Sequence, residues 1–298
     1  MTTEPARELT VESVAAGLAT EGYLADEGLA TAVFLAMALR RPLLLEGEAG
    51  VGKTEVAKVL ASWTGAPLLR LQCYEGIDVA QAVYEWDYAR QLLHLRANDG
   101  AGAEDQVYSE RFLTRRAILS AIDHGEGPPP VLLIDEVDRA DDEFEALLLE
   151  MLAEYAVTVP ELGTFRAVVP PRVIITSNRT RDVHDALKRR CLYHWVEHPS
   201  FEREVEIVKL RAPEAWPGLV RQVAAAVEEL RTMQLYKPPG VAESIDWACA
   251  LAALGQRELA PRSADLTLGA VLKYHEDQAR VRGAGLDRLV DAAAARGG

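Results

Sequence analysis

The chain has 298 residues, 49% of them hydrophobic and 26% charged, with a formal net charge of −14. That length allows one large or two modest domains with an ample core, and the acidic balance excludes broad electrostatic capture of nucleic acid or of an anionic membrane, leaving room only for a local basic patch. Cys73, Cys191 and Cys249 are odd in number and far apart, which speaks against a disulfide framework or a zinc site and fits a reducing cytoplasm.

The start, Met1-Thr2-Thr3-Glu4-Pro5, is polar and acidic, unlike a secretory signal. Thr10 is placed to cap a first helix running to about Ala19. A second begins near Asp26, shows Leu29, Val33 and Met37 on one face, and stops at Pro42. The apolar stretch 29–39 is too short to span a bilayer. Pro42-Leu43-Leu44-Leu45 then reads as a buried strand, and Val56, Val59, Leu60 and Trp63 recur at helical spacing.

Between them lies Gly47-Glu48-Ala49-Gly50-Val51-Gly52-Lys53-Thr54. This is G-x-x-x-x-G-K-[ST] in the strand–loop–helix context that a phosphate-cradling loop requires. Its glycines let backbone N–H groups turn toward an anion at a helix N-terminus. Lys53 can reach the β- and γ-phosphates, and the Thr54 hydroxyl can ligate Mg²⁺. Tyr23, in the link between the first two helices, is either an adenine contact or a half-buried loop aromatic.

Residues 67–73 predict a second strand. An insertion with aromatics at Tyr74, Tyr84, Trp86 and Tyr88 follows, then a polar loop at 97–109. A helix is expected over 111–124, with Phe112, Leu119 and Ile122 inward, and Gly127-Pro128-Pro129-Pro130 ends it. Val131-Leu132-Leu133-Ile134 reads as a central parallel strand that delivers Asp135 and Glu136 at its exit. Asp141 or Asp142 caps the next helix, whose face is Phe144, Leu147, Leu148, Met151 and Leu152. A hairpin over 157–168 turns around Glu161-Leu162-Gly163, a strand over 172–176 ends at Ser177-Asn178, and 191–196 closes the sheet. From Pro199 onward the pattern is helical, over 201–211, 219–233, 241–254 and 266–282, with an alanine-rich tail at 286–298 forming a frayed helix.

Binding phosphate is not cleaving it. Cleavage needs a metal, an oriented water and stabilisation of charge on the transferred phosphoryl group. Asp135 can hold Mg²⁺ through water, Glu136 can polarise the attacking water, and Asn178 can hold that water without competing for the metal. Lys188, Arg189 and Arg190 stand just before the last strand, where one guanidinium can reach a neighbouring subunit's γ-phosphate. That reading makes Arg190, with Arg189 as the alternative, a group acting in trans, and requires a ring.

Taken together these residues resemble an AAA+ ATPase: Walker A at 47–54, Walker B at 131–136, sensor 1 at Asn178 and an arginine finger at Arg190 or Arg189. The insertion and the hairpin resemble the MoxR family. Tyr84-Glu85-Trp86-Asp87-Tyr88-Ala89-Arg90-Gln91-Leu92-Leu93 and Ala186-Leu187-Lys188-Arg189-Arg190-Cys191-Leu192-Tyr193-His194-Trp195 are similar to the CoxD-like group within it. The resemblance covers about residues 11–282.

It implies an α/β fold: a parallel αβα nucleotide-binding domain over 1–199 and an α-helical lid over 200–298, with ATP and Mg²⁺ at the C-terminal strand ends between them. It also implies a cytoplasmic, homo-oligomeric ring, a hexamer, acting as a chaperone. The implied partners are a von Willebrand factor A domain protein and a metalloenzyme client such as a molybdenum-containing carbon monoxide dehydrogenase. Many MoxR relatives open a lid helix with a sensor 2 arginine. The segment 239–244 holds none, and Arg262 opens the following helix as a weak substitute. The alternatives are a nucleic-acid motor, which the hairpin's lone Arg166 opposes, and a nucleotide-dependent scaffold with little hydrolysis.

Overall fold

The computed structural model describes residues 9–97 and 107–297. The expected loop at 97–109 lies outside the described residues over 98–106. The chain forms two compact units, one of Met1–Glu21, Ala25–Glu46 and Thr54–Trp195, the other of Gly22–Leu24, Gly47–Lys53 and Val196–Gly298.

The first unit opens with α1 (Val11–Thr20), whose Thr10 cap accepts from Ser13 N, and α2 (Glu27–Leu39), capped by Asp26. The two helices pack on each other. Strand β1 (Leu43–Gly47) leads through the loop into α3 (Lys53–Trp63) and then β2 (Leu68–Gln72). The insertion contains α4 (Val79–Ala82), β3 (Tyr84–Trp86), α5 (Tyr88–Ala97), a 3-10 turn at Glu110–Phe112 and β4 (Leu113–Arg115). Then come α6 (Ala117–Ile122), β5 (Val131–Asp135), α7 (Asp142–Glu154), the hairpin β6 (Ala156–Val159) and β7 (Gly163–Arg166), β8 (Arg172–Ser177), α8 (Asp185–Arg190) and β9 (Leu192–Val196).

The main sheet is five-stranded in the order β2-β5-β8-β1-β9. Neighbours β2/β5, β5/β8 and β8/β1 run parallel. Every residue of β1 and β5 is buried, so both faces of the sheet are covered, which explains their unbroken apolar runs. On one face Leu44, Leu132, Ile134, Val173 and Ile175 form a core with Leu119 and Ile122 of α6 and Phe144, Leu148 and Met151 of α7.

One expectation fails here. No helix spans 111–124. Leu113–Arg115 is a strand that pairs antiparallel with Tyr84–Trp86, and the helix proper is α6 alone. The pairing is fixed at its end by Arg116 N donating to Val83 O at 2.9 Å. Phe112, Leu119 and Ile122 are nonetheless all buried.

The second unit carries α9 (Phe201–Arg211), α10 (Pro217–Thr232), α11 (Val241–Ala253), α12 (Pro261–Val271), α13 (His275–Ala284) and α14 (Leu286–Gly297). The helix expected over 266–282 is therefore two. Leu272 is extended, and buried Asp277 uses both carboxylate oxygens to accept from Tyr236 N and Lys237 N. Pro217 and Pro261 sit at helix starts, where their missing N–H costs nothing, so those helices begin earlier than expected. The tail is a packed helix: Leu289 and Ala293 join a core with Leu219, Val223 and Leu230 of α10.

Candidate active site

In the loop after β1, Gly50 and Gly52 adopt φ of 81° and 94°, a region in which a side chain is strained. The buried Lys53 curls back, its Nζ donating to Gly47 O at 2.9 Å and Glu48 O at 2.6 Å. Glu48 itself is exposed and meets His198 Nε2 at 3.1 Å. Ala49 is half-buried and Val51 buried. The first turn of α11 reaches this loop: Val241 N and Ala242 N donate to Gly50 O at 3.0 and 3.4 Å. A Cβ added at Gly52 would stand 3.5 Å from Tyr23 Cε2, so Tyr23 lies along the loop.

Thr54, in the first turn of α3, donates from Oγ1 to Asp135 Oδ1 at 2.9 Å. Thr176 donates to the same oxygen at 2.6 Å. Asp135 Oδ2 accepts from Arg70 Nη2 at 2.6 Å and Nε at 3.1 Å. Asp135 is 2% exposed, as a carboxylate with this many donors can be.

Glu136 follows in a left-handed conformation, φ 56° and ψ 51°. A non-glycine residue there carries about 1–3 kcal/mol of strain and persists only where its surroundings impose it. Its N–H donates to Thr176 Oγ1 at 2.9 Å. Its carboxylate is held from three sides: Oε1 by Asn178 Nδ2 at 3.2 Å, Oε2 by Gln72 Nε2 at 3.0 Å and by Arg139 Nε at 3.0 Å. Asp138, also 2% exposed, accepts from Asn178 N at 3.1 Å and from Thr180 N at 2.9 Å.

The structure thus brings Thr54, Asp135, Glu136 and Asn178 into one hydrogen-bonded set. Arg189 and Arg190 lie elsewhere, at the end of α8. Arg190 Nη1 donates to Leu149 O at 2.6 Å, and the backbone carbonyls of both arginines accept from Arg41 Nη2. The Arg189 side chain is exposed and meets no partner among the described residues. Arg262, in the first turn of α12, is likewise exposed.

Sequence reasoning missed Arg70, Gln72, Asp138, Arg139 and Thr176. The available signal was position: Gln72 and Thr176 sit at the last or penultimate residue of strands flanking β5. Burial, reinforced by the charges of Asp135 and Asp138, pushes the Cys73 thiol up to about 12, and burial does the same for Cys191. Among the described residues no cluster of three or more His, Cys, Asp or Glu is placed to hold a metal, and no helix is long and apolar enough to cross a membrane.

Residues 42–191, which contain every member of this set, match the AAA domain of the dynein-related subfamily. The chain belongs to the AAA domain family. This AAA protein is 24% identical over 202 residues to an uncharacterized protein of Staphylococcus haemolyticus (strain JCSC1435), covering 65% of this chain and 70% of the relative. Among solved structures it is similar to the Thermotoga maritima RuvB Holliday junction branch migration motor, with a TM-score of 0.46 and 14% identity over 81% of this chain and 65% of that one. It is also similar to a Cytophaga hutchinsonii (ATCC 33406) protein that carries a provisional ATPase description, with a TM-score of 0.44 and 13% identity over 96% and 91% of the two chains. The AAA chain thus spans about two thirds of the RuvB structure's length. Its family is one of nucleotide-binding ATPases.

Proposed function

We propose that this AAA protein hydrolyses ATP within a homo-oligomeric ring and uses the cycle to remodel a protein client. The observation that carries this reading is the Glu136 carboxylate, locked between Asn178, Gln72 and Arg139 and adjacent in sequence to an Asp135 that meets Thr54. Backbone N–H groups of residues 47–54 cradle the phosphates, with Lys53 neutralising them. Thr54 and Asp135 supply hard oxygen ligands of the kind Mg²⁺ takes. When bound, Mg²⁺ offsets charge on the β- and γ-phosphates. Glu136 takes the proton of the attacking water, and Asn178 holds that water in line. Arg189 and Arg190 act on a neighbour's γ-phosphate. The guanidinium of Arg189, exposed and without a partner among the described residues, against Arg190 tied to Leu149 O, favours Arg189 as the group that reaches across.

In this reading residues 1–199 are the nucleotide-binding domain and 200–298 its lid, with Arg262 the candidate for a lid arginine. The likeness of 84–93 and 186–195 to the CoxD-like group of MoxR proteins extends the proposal. The client is then a metalloenzyme, such as a molybdenum-containing carbon monoxide dehydrogenase, and the partner a von Willebrand factor A domain protein, both in the cytoplasm. The hairpin gives little support to a nucleic-acid motor, since Arg166 is already bound to Glu154 at 2.6 Å.

The experiment is a trap. Glu136→Gln, held in ATP in the source organism, is expected to retain its ring and to co-purify with a von Willebrand factor A protein and a metalloenzyme. Nuclease-sensitive material in their place would overturn the protein-client reading, and undiminished turnover in Glu136→Gln would overturn the hydrolytic assignment.

A further inference from the structure

Between β8 and α8 the chain runs through residues 178–184 without regular structure, yet Asn178, Thr180, Arg181 and His184 are all bonded to one stretch, residues 136–145. Asp138 Oδ1 accepts from Asn178 N at 3.1 Å, and its Oδ2 accepts from Thr180 N at 2.9 Å and Thr180 Oγ1 at 2.6 Å. Ala140 O and Asp142 Oδ1 accept from the Arg181 guanidinium at 2.6 and 3.1 Å. Glu145 Oε1 accepts from Arg181 Nη2, and Glu145 Oε2 accepts from His184 N at 2.8 Å.

Glu145 lies inside α7 and is 1% exposed. A buried carboxylate requires charged or N–H partners, and both partners found for Glu145 lie on residues 181–184. One of them, His184, is the residue from which α8 starts, its Nδ1 accepting from Ala186 N at 3.2 Å. So the seam has Glu136 and Asn178 at one end, and at the other it fixes the start of the short helix that carries Arg189 and Arg190. Leu187, fully buried, pins the helix from below. Residue 184 holds the start of the helix, while bonds from Arg41 to the carbonyls of Arg189 and Arg190 and from Arg190 to Leu149 O hold its end.

We propose that Glu145 is a positioning residue for α8: through Arg181 and His184 it sets the place from which Arg189 and Arg190 project, and Asp138 ties that placement to the Glu136–Asn178 pair. This rests on the reading of those arginines as groups that act on a neighbouring subunit's phosphate. Asp138 and Glu145 are the buried members of this network, and buried polar groups whose partners are all in place are held rigidly.

The test uses the full chain at concentrations where it is assembled. Glu145→Gln removes the charge that holds Arg181, and Arg181→Ala removes the same tie from its exposed end, which covers the case in which the buried substitution fails to fold. Each is made in the wild type and in an Arg189→Ala/Arg190→Ala background, and kcat, KM and nucleotide Kd are measured. Each is expected to lower kcat by about tenfold or more, a part of what an arginine supplied in trans contributes, with Kd unchanged. Neither should lower kcat further where both arginines are already gone. Equal losses in both backgrounds, or no loss in either, would overturn the proposal. If the double arginine variant kept wild-type turnover while Glu136→Gln lost it, the trans reading itself would fall and the hydrolytic assignment would stand.

Discussion

Asn178 donates from Nδ2 to Oε1 of Glu136 at 3.2 Å, and the Glu136 backbone is held left-handed by a bond from its N–H to Thr176. The amide therefore fixes the one oxygen that neither Gln72 nor Arg139 touches. A strained residue that is over-determined from several sides is the arrangement expected where position matters more than stability.

Removing the carboxylate and removing its orienter should then have different signatures. Glu136→Gln keeps the shape and loses the base, so ATP should bind while turnover falls by about 10²–10⁴-fold, the usual contribution of a general base. Asn178→Ala should lower kcat less, with KM little changed. Steady-state kinetics beside nucleotide titration checks both. A raised Kd in Asn178→Ala would place the amide in ground-state binding.

The contact of α11 with the phosphate loop leads to a second expectation. A Cβ at Gly240 would meet Gly50 Cα at 2.7 Å and Gly50 O at 2.8 Å, backbone against backbone with no flexible end to yield. Gly240→Ala must push the loop or the helix aside, costing about 1–3 kcal/mol. Nucleotide affinity should weaken although no group offered to phosphate is changed. Fluorescent-nucleotide titration reads this directly, and an unaltered Kd would mean that the loop tolerates the displacement.

The third concerns the helical unit. Arg231 meets Glu204 with two bonds, at 2.6 and 2.8 Å, and donates from Nε to Pro239 O at 2.8 Å. Ser244 adds a bond to Glu204 at 2.5 Å, so α9, α10 and α11 share one knot. Glu204 is 1% exposed. Arg231→Ala would leave its charge uncompensated, at a cost of about 3–5 kcal/mol. Pairing it with Glu204→Leu should recover much of the loss. Thermal melts of the two variants separate a stranded charge from simple loss of packing.

How much of this is legible from the sequence differs by kind. The loop at 47–54, the acids at 135 and 136 and the amide at 178 each stand where a continuous apolar run ends, a signal contained in a few adjacent residues. Strand β4 is not legible, because three residues next to a helix look like its first turn until their partner Tyr84–Trp86 is known. Helix starts are legible only in part: Pro217 and Pro261 open α10 and α12, ahead of the apolar periodicity that marks those helices at 219 and 266. Pairs such as Arg231 with Glu204, or Gly50 with Gly240, join distant stretches of chain and leave no local trace. The same holds for Arg70 and Gln72, which reach Asp135 and Glu136 only because β2 lies beside β5.

The last expectation follows from the thiols. Burial, with the charges of Asp135, Asp138 and Glu136 nearby, raises Cys73 from about 9 to about 12, and burial raises Cys191 equally. In the unfolded chain both ionise near their ordinary value. Between about pH 9 and pH 12 the folded state therefore keeps protons that the unfolded state has lost, and stability must fall as pH rises through that window. Below about pH 9 the contribution is fully present. Cys73→Ala should flatten the decline of stability with pH between about 9 and 11, whatever its effect at neutrality. Denaturant unfolding at a series of pH values gives the slopes. Alkylation provides an independent check, because only the thiolate reacts: in the folded protein at about pH 8, Cys73 and Cys191 should be spared. Rapid labelling of Cys73 under those conditions would show that its surroundings open.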